Sequence, residues 1–343
     1  MPVAAYRFAY NEKIPRGIQC RKKPRGIFML RLGIVGYGNL GKALVKTVAH
    51  FPDFELAALF SRRDLSVEKD VSKIFVPYCN ILEFKEKIDV LILAWGSAVD
   101  LRESAEFLSG HFNTVDSFDM HRDIEKHLKS VGNIAKGSGR LAVVSSGWDP
   151  GLMSLARLYF SAFMPTASVN SFWGKGVSQG HSEALRHVSG VRYAVQYTCP
   201  IAKAHSLALA GETVLPTEAH KRVCYVVAES GAEQRVEREI REMRGYFSGY
   251  ETEVHFISES EFFERHTSLC HRGEVIASAK VEDERLRATL TLDLQSNPLF
   301  TAGILIATAR AACRLSSEGI TGALTLFDIP PKYFYRGDPY SLI

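Results

Sequence analysis

Three groups of residues in this sequence have the types and spacing to do chemistry. The first is the turn Gly36-Tyr37-Gly38-Asn39-Leu40-Gly41, after the apolar run 32–35 (LGIV) and before a stretch of helical spacing. Glycines so placed allow a tight turn, close approach of backbone to a pyrophosphate, and close helix–strand packing. The helix N-terminus then offers free N–H groups and a positive dipole end to the phosphates. A glycine turn without a ligand uses the same letters. This one has the required setting, with a second strand near residue 58. That strand ends Ser61-Arg62-Arg63, where an NAD site would carry an acid for the ribose 2′-hydroxyl. A hydroxyl and two guanidiniums suit a phosphate and predict NADP(H). The plain alternative is two solvated turn arginines.

The second group stands at the ends of later apolar runs. Gly96, Ser97 and Ala98 follow 89–94. Asp116, Ser117, Phe118 and Asp119 follow 113–115, and Ser146, Gly147, Trp148, Asp149 and Pro150 follow 141–145. Ligands of open parallel sheets bind beyond the carboxyl ends of the strands. Gly96 and Ser97 are therefore placed near the nicotinamide half of the cofactor, with Ala98, Ser117, Phe118, Ser146, Gly147, Trp148 and Pro150 beside them. Carboxylates at this edge suit an ammonium-bearing substrate and can move protons. Any one of Asp116, Asp119 and Asp149 reads equally as a helix N-cap; three at adjacent strand ends read better as a site. Asp116 has no assigned role. The third group is Arg222, on an expected strand, whose fork suits a carboxylate or a surface ion pair.

The elements that must position these groups are strands at 32–35, 55–60, 89–94, 113–115 and 141–145, with helical patterns at 41–51, 100–109 and 121–136. Strand and helix alternating at this interval predict a Rossmann-type doubly wound parallel sheet, α/β in class. After 148–151 the texture changes. Strands at 191–198, 222–228, 252–258, 274–281 and 286–294, with one helix at 231–244, predict an antiparallel α+β domain for substrate binding and dimerisation. An apolar helix at 298–315 returns to the first domain. The division expected is 29–147 plus 298–343 for NADP(H) and 148–297 for substrate.

The chain has 343 residues, more than one core usually serves, with 46% hydrophobic and 23% charged residues and a net charge of +4. Seven basic residues before position 26 account for that excess, so no concentrated basic face marks a nucleic-acid partner. Six scattered cysteines read as reduced, mostly buried cytoplasmic thiols. No Cys/His spacing predicts a metal. No apolar run reaches the roughly 18 residues of a membrane span. Residues 1–28 read as an extension with poor order, not a secretory signal.

Together these residues resemble the meso-diaminopimelate D-dehydrogenase family from about Met29 to Phe327. The marks are GYGNLG (36–41), FSRR (60–63), TVDSFDMHRDI (114–124), SGWDPG (146–151), FWGKGVSQGHS (172–182), AVQYT (194–198), HKR (220–222) and the Asn-Pro pair at 297–298. Trp95, Ser171 and Lys175 depart from the family pattern. The resemblance implies oxidative deamination of the D-centre of meso-2,6-diaminopimelate to L-2-amino-6-oxopimelate, ammonia and NADPH, and the reverse reaction in lysine and peptidoglycan precursor synthesis. It implies that Asp119 and Asp149 face the reacting D-centre and that Trp173 packs on the substrate chain near the Gln179-Gly180 backbone. Thr198, Arg222 and His271 would hold the distal carboxylate and Asn297 the distal amino end. Relatives pair as homodimers. Groups fixed at both ends are needed, because an apolar pocket cannot distinguish enantiomeric ends. Two competing readings are an NADP-dependent oxidoreductase acting on another D-amino or hydroxy acid, and a non-catalytic NADPH-sensing regulator.

Overall fold

Residues 29–97, 100–268 and 270–343 are described by the structure, a computed structural model. The expected extension before Met29, and Ala98, lie outside the described residues. The first half forms strands β1 (Leu30–Val35), β2 (Phe54–Ser61), β3 (Phe75–Pro77), β4 (Val90–Leu93), β5 (Thr114–Asp116) and β6 (Leu141–Val143). A distant strand, β14 (Gly322–Leu324), joins them in a parallel sheet ordered β14-β6-β5-β4-β1-β2-β3. The order reverses between β1 and β4, and such switch points open a ligand crevice at the strands' carboxyl ends.

The strands are apolar because both faces are covered. On β4, Val90 and Ile92 face α1 (Asn39–Val48) and α10 (Asn297–Ser317), while Leu91 and Leu93 face α2 (Asp100–Ser109) and α3 (Ile124–Gly137). Helix α10 is long and apolar enough to cross a membrane by length and composition alone. Its apolar character serves burial: Ala302, Leu305, Ile306 and Ala309 pack in the core of the sheet.

The second half departs from expectation in three ways. Its strands β7 (Ser168–Trp173) through β13 (Glu284–Leu294) divide into two sheets, β13-β12-β7 and β11-β10-β9-β8. These include β8 (Gly176–Val177), β9 (Val191–Pro200), β10 (His220–Ala228), β11 (Thr252–Phe256) and β12 (His271–Val281). Pairing is antiparallel except for β10 and β11, which run parallel because helix α8 (Glu233–Glu242) carries the chain back between them. The single expected helix is α8. Also present are α4 (Leu152–Phe163), α5 (Gln179–Arg186), α6 (Ala202–Ala210), α7 (Pro216–Ala219) and α9 (Glu259–Arg265). The shortest, α7 and α9 with 4 and 7 residues, give too few turns for periodicity to separate them from loops, whereas α4 with 12 is longer than helices that were legible. The thiols depart too: among the described residues only Cys224 is fully buried, and Cys79 and Cys270 lie exposed.

One buried ion pair fastens α10 to the sheet. Arg310 donates to both Asp53 oxygens, with Nη2–Oδ1 at 2.9 Å, and to the Phe334 carbonyl at 2.7 Å. Its guanidinium lies 5.5 Å from the Phe51 ring centre and 5.6 Å from that of Phe54. Burial alone would raise the Asp53 pKa, but the Arg310 hydrogen bond and charge outweigh it and hold the carboxyl below its ordinary value. A carboxyl lowered on folding stabilises the fold above its unfolded pKa, and the contribution is lost as pH falls through the folded pKa. We expect Arg310→Met to cost about 3–5 kcal/mol near neutral pH, since it strands a buried carboxylate. The cost should shrink as acid protonates Asp53. Urea denaturation across a pH series measures both, and a pH-independent cost below about 1 kcal/mol would refute the assignment.

Candidate active site

The glycine turn sits at the β1/β4 switch point. Gly36 has φ +100°, and a Cβ there would lie 2.9 Å from the Ala94 carbonyl oxygen and 2.6 Å from the Trp95 ring. A Cβ on Gly41 would come within 2.1 Å of the Gly36 carbonyl oxygen, so helix and strand could not approach as they do. A Cβ on Gly38 would meet nothing within 4 Å. Helix α1 starts there with no side-chain cap and no acid in its first turn. Open space before uncapped N–H groups of the 38–41 stretch fits a dinucleotide pyrophosphate. The Tyr37 side chain is buried, leaving its peptide group to the turn, while Asn39 is exposed and Leu40 half-buried.

The two arginines reach the rim of this turn. Ser61 Oγ accepts the Arg63 N–H at 3.0 Å, and Arg63 Nη2 donates to the Tyr37 carbonyl at 2.8 Å. Arg62 pairs with Asp100 at 2.7 Å and lies 4.9 Å from the Trp95 ring centre. Trp95, the residue that departs from the family pattern, thus shelves Arg62. Gly96 is exposed, and Ser97 Oγ accepts the Asp119 N–H at 3.1 Å, tying the ends of β4 and β5 together.

Asp116 organises the adjoining loops. Its Oδ1 accepts N–H groups from Phe118 (3.0 Å) and Ser145 (2.8 Å), and its Oδ2 meets His127 Nε2 at 2.8 Å. Its carbonyl accepts both the N–H and the Oγ–H of Ser146. The carboxylate is buried and caps no helix, so its role is to join the ends of β5 and β6. Phe118 is fully buried, its ring stacked 4.2 Å from that of His127. Trp148 also turns inward, packing with Met153, Val275 and Leu292 and edge-on to His271 at 5.0 Å. Both side chains are withdrawn into the core. Ser117, Gly147 and Thr301 come together: a Cβ on Gly147 would lie 3.7 Å from Ser117 Cβ and 4.0 Å from Thr301 Cγ2. Pro150 is buried beside them in sequence.

The other two carboxylates differ sharply. The Asp149 side chain is 3% exposed. Arg157 Nη2 donates to its Oδ1 and Trp173 Nε1 to its Oδ2, each at 2.6 Å. Asp119 is exposed, and its carboxylate has no side-chain partner among the described residues. A Cβ on Gly180 would lie 3.8 Å from Asp119 Oδ2, so the first turn of α5, which Gln179 begins, faces this acid. Ser178 caps that helix and meets His181 Nδ1 at 2.7 Å. Burial, with the Arg222 charge adding, pushes the His181 pKa down to about 3, so the imidazole is a neutral brace.

Strand register makes a second cluster. Gly176 on β8, Thr198 on β9 and Arg222 on β10 stand directly opposite one another. Arg222 Nη1 donates to Thr198 Oγ1 at 2.7 Å, and its plane covers Tyr250 at 4.2 Å. The guanidinium is 8% exposed, its Nε has no partner, and it faces no carboxylate among the described residues. Burial lowers its pKa, partly offset by Tyr250. A buried cation without a counter-ion is costly, so the arrangement is chemically suited to an anion. Gln196, which sequence reasoning missed, donates to Thr198 at 3.3 Å and leaves its buried Oε1 free, an acceptor suited to an ammonium. Alternation along β9 puts it on the face of Thr198. His271 packs against Gly176, with its Nδ1 2.7 Å from the Arg272 carbonyl. A carbonyl cannot donate, so Nδ1 carries the hydrogen, and burial lowers the ring's pKa. Asn297 starts α10, its Oδ1 taking the Thr301 hydroxyl at 3.1 Å. Arg157 and His127 were likewise missed; in Arg157's case the signal was Ser154 and Arg157 three apart on one face of α4.

Removing the Asp116 carboxylate frees two buried N–H groups and a buried imidazole together. Asp116→Ala is expected to cost about 3 kcal/mol in chemical denaturation. A cost under about 1 kcal/mol would show that the strand ends are held by something else.

The diaminopimelic acid dehydrogenase C-terminal domain family matches residues 147–296. Meso-diaminopimelate D-dehydrogenase of Ureibacillus thermosphaericus is 46% identical over 308 residues, covering 88% of this chain and 94% of its own length. That of Corynebacterium glutamicum is 40% identical over 304 residues, covering 88% and 94%. The C. glutamicum DAP dehydrogenase in complex with DAP has a TM-score of 0.89 at 39% identity, covering 92% of this chain and 98% of that one. An engineered D-amino acid dehydrogenase bound to NADP+ has a TM-score of 0.86 at 38% identity, with the same coverage of 92% and 98%. With identity of this order along nearly nine-tenths of its length, the chain belongs to the meso-diaminopimelate D-dehydrogenase family.

Proposed function

We propose that this chain oxidatively deaminates the D-centre of meso-2,6-diaminopimelate with NADP+, releasing L-2-amino-6-oxopimelate and ammonia, and runs the reverse amination for lysine and peptidoglycan precursors. The observation that carries this reading is the uncompensated Arg222, buried beside Thr198, opposite a strand edge bearing Asp119 and Asp149. A substrate with an ammonium and a carboxylate at each end answers both clusters. Asp149 holds the near ammonium. Asp119, unpaired and reached by solvent, moves protons and activates the water that releases ammonia. Arg222 and Thr198 take the far carboxylate. With Nδ1 committed to the Arg272 carbonyl, His271 joins them only as an imidazolium, while Asn297 and Gln196 serve the far ammonium. Trp173 bridges the ends. NADP, held by residues 36–41 with Arg62 and Arg63 at its 2′-phosphate, supplies the hydride acceptor when bound.

The division proposed is 29–147 with 298–343 for the cofactor and 148–297 for the substrate. A cytoplasmic setting fits the free thiols. The competing regulator has no use for Asp119 and Asp149 together, and an enzyme for another acid has none for Arg222. Purified protein with meso-diaminopimelate, the L,L isomer and D-alanine separates these readings by NADPH absorbance. We expect rapid reduction with the meso compound and little with the others. No reduction with the meso compound refutes the proposal, and equal rates with NAD+ refute the Arg62/Arg63 assignment.

We also propose a homodimer formed through α4 and β13. Strand β13 is a free sheet edge of 11 residues. Leu158, Tyr159 and Phe163 lie exposed on α4, beside an apolar cavity of about 380 Å³ lined by Leu155, Phe160, Leu290 and Phe334 among others. Long exposed edges and apolar patches of this kind seek a partner. Sedimentation velocity should give twice the chain mass, and Phe163→Glu should shift it toward one chain mass. A wild-type monomer at micromolar concentration defeats this assignment.

A further inference from the structure

Asp149 is not a free carboxylate. One oxygen is held by Arg157 and the other by Trp173, each at 2.6 Å, and the side chain is buried. Arg157 is itself fixed: Nη2 also donates to Ser154 Oγ at 2.8 Å, and Nη1 to Ser171 Oγ at 3.1 Å. Ser154 Oγ in turn accepts the Gly151 N–H at 3.2 Å, fastening the helix that carries Arg157 to the loop that carries Asp149. The chain of contacts continues beyond Trp173. Its backbone N–H donates to His220 Nε2 at 2.8 Å, two residues before Arg222 on β10. Burial and the Arg222 charge push the His220 pKa down to about 4, which keeps Nε2 an acceptor.

We propose that Arg157 is a positioning residue for the reaction: through Asp149 it fixes the ammonium of the D-centre, and through Asp149 and Trp173 it sets the distance from that centre to the Arg222 cluster. This rests on the proposed deamination. Three features argue for it. First, a carboxylate with one donor on each oxygen keeps one lone pair on each for the substrate, in a fixed plane. Second, Asp149 is enclosed and already held by two donors, whereas Asp119 is exposed with no side-chain partner among the described residues, so Asp149 is placed to hold the ammonium and Asp119 to exchange protons with solvent. Third, the serines leave Arg157 little freedom, and rigid support of this kind is what holds a reacting group within a fraction of an ångström. Arg157 is partly exposed and touches none of the reacting atoms.

The test uses the full chain with NADP+ and meso-diaminopimelate. In Arg157→Ala, kcat should fall about 100-fold, the usual effect of misplacing a reacting group by an ångström. KM should change less than about threefold, because Arg222 still anchors the far end. Guanidinium chloride, added well below denaturing concentrations, should restore turnover about tenfold by refilling the vacated place. Rescue separates positioning from folding, because guanidinium weakens the fold. If Arg157→Ala does not fold, Arg157→Lys decides: a kcat lowered about tenfold at unchanged melting temperature supports the proposal, since lysine cannot reproduce the fork. A wild-type kcat in either folded variant overturns it, as does a loss in Arg157→Ala that guanidinium does not relieve. An inactive wild-type enzyme would instead overturn the proposed deamination.

Discussion

The candidate site hangs from one buried carboxylate, that of Asp116. Five hydrogen-bonding groups converge on this residue, three on its carboxylate and two on its carbonyl. They belong to the ends of β5 and β6 and to α3. A parallel sheet delivers strand ends to one edge but leaves the loops beyond them free to splay. Asp116 removes that freedom. It holds Ser145 at φ +54°, a left-handed conformation rare for a side chain other than glycine, and so sets the path that leads to Asp149. On the other side it holds Phe118, and Asp119 follows directly. The two candidate carboxylates keep their places because a third, which meets no ligand, is spent on the backbone.

The parts of the site legible in the sequence are those where backbone demands leave a letter. Gly36 and Gly41 are required by a positive φ and by a contact no Cβ could survive. Arg62 and Arg63 follow from the end of an apolar strand, and Arg222 from a strand with a cation where an apolar residue would sit. The less legible parts depend on which way a side chain turns. Trp148 and Phe118 stand at strand ends among cofactor-lining residues, yet their rings go to the core. Nothing in the letters separates a ring that faces a ligand from one that faces Val275 or His127. Pairings across long separations were equally hidden: Asp53 meets Arg310 over 257 positions, and Arg62 meets Asp100 over 38.

The fold was legible in proportion to how fully each element is buried. β4 is covered on both faces and reads as an unbroken apolar run, as do the buried carboxyl-terminal halves of β1 and β2. β3 and β14, three residues each at the two sheet edges, carry too little pattern. In the second half the long strands β9, β10, β12 and β13 left a pattern, while β7, β8 and a helix as short as the 4 residues of α7 did not. The parallel β10–β11 pair shows the same limit. Its strands were read at nearly their true bounds, but their relative direction depends on where α8 packs, which alternation does not encode.

The segment Trp173 to Gly176 explains how two clusters on different sheets can measure one molecule. Trp173 ends β7, pairs with Gly273 in one sheet, and gives its indole N–H to Asp149. Three residues later Gly176 begins β8 in the other sheet, opposite Thr198 and pressed on His271. A Cβ on Gly174 would strike the Thr198 carbonyl oxygen at 1.8 Å, and one on Gly176 would lie 2.5 Å from the His271 ring. Both glycines are therefore obligatory, since any side chain would push the segment away from the far cluster. This short length of backbone joins the Asp149 and Arg222 ends, and the loop that carries Asp149 is itself held by Arg157 and Ser154. Under the proposed function, a site so built would select its substrate by length and by the hand of each end together. Reversing one centre would move an ammonium off Asp149 while the far carboxylate stayed on Arg222, and the short segment has no slack to follow it.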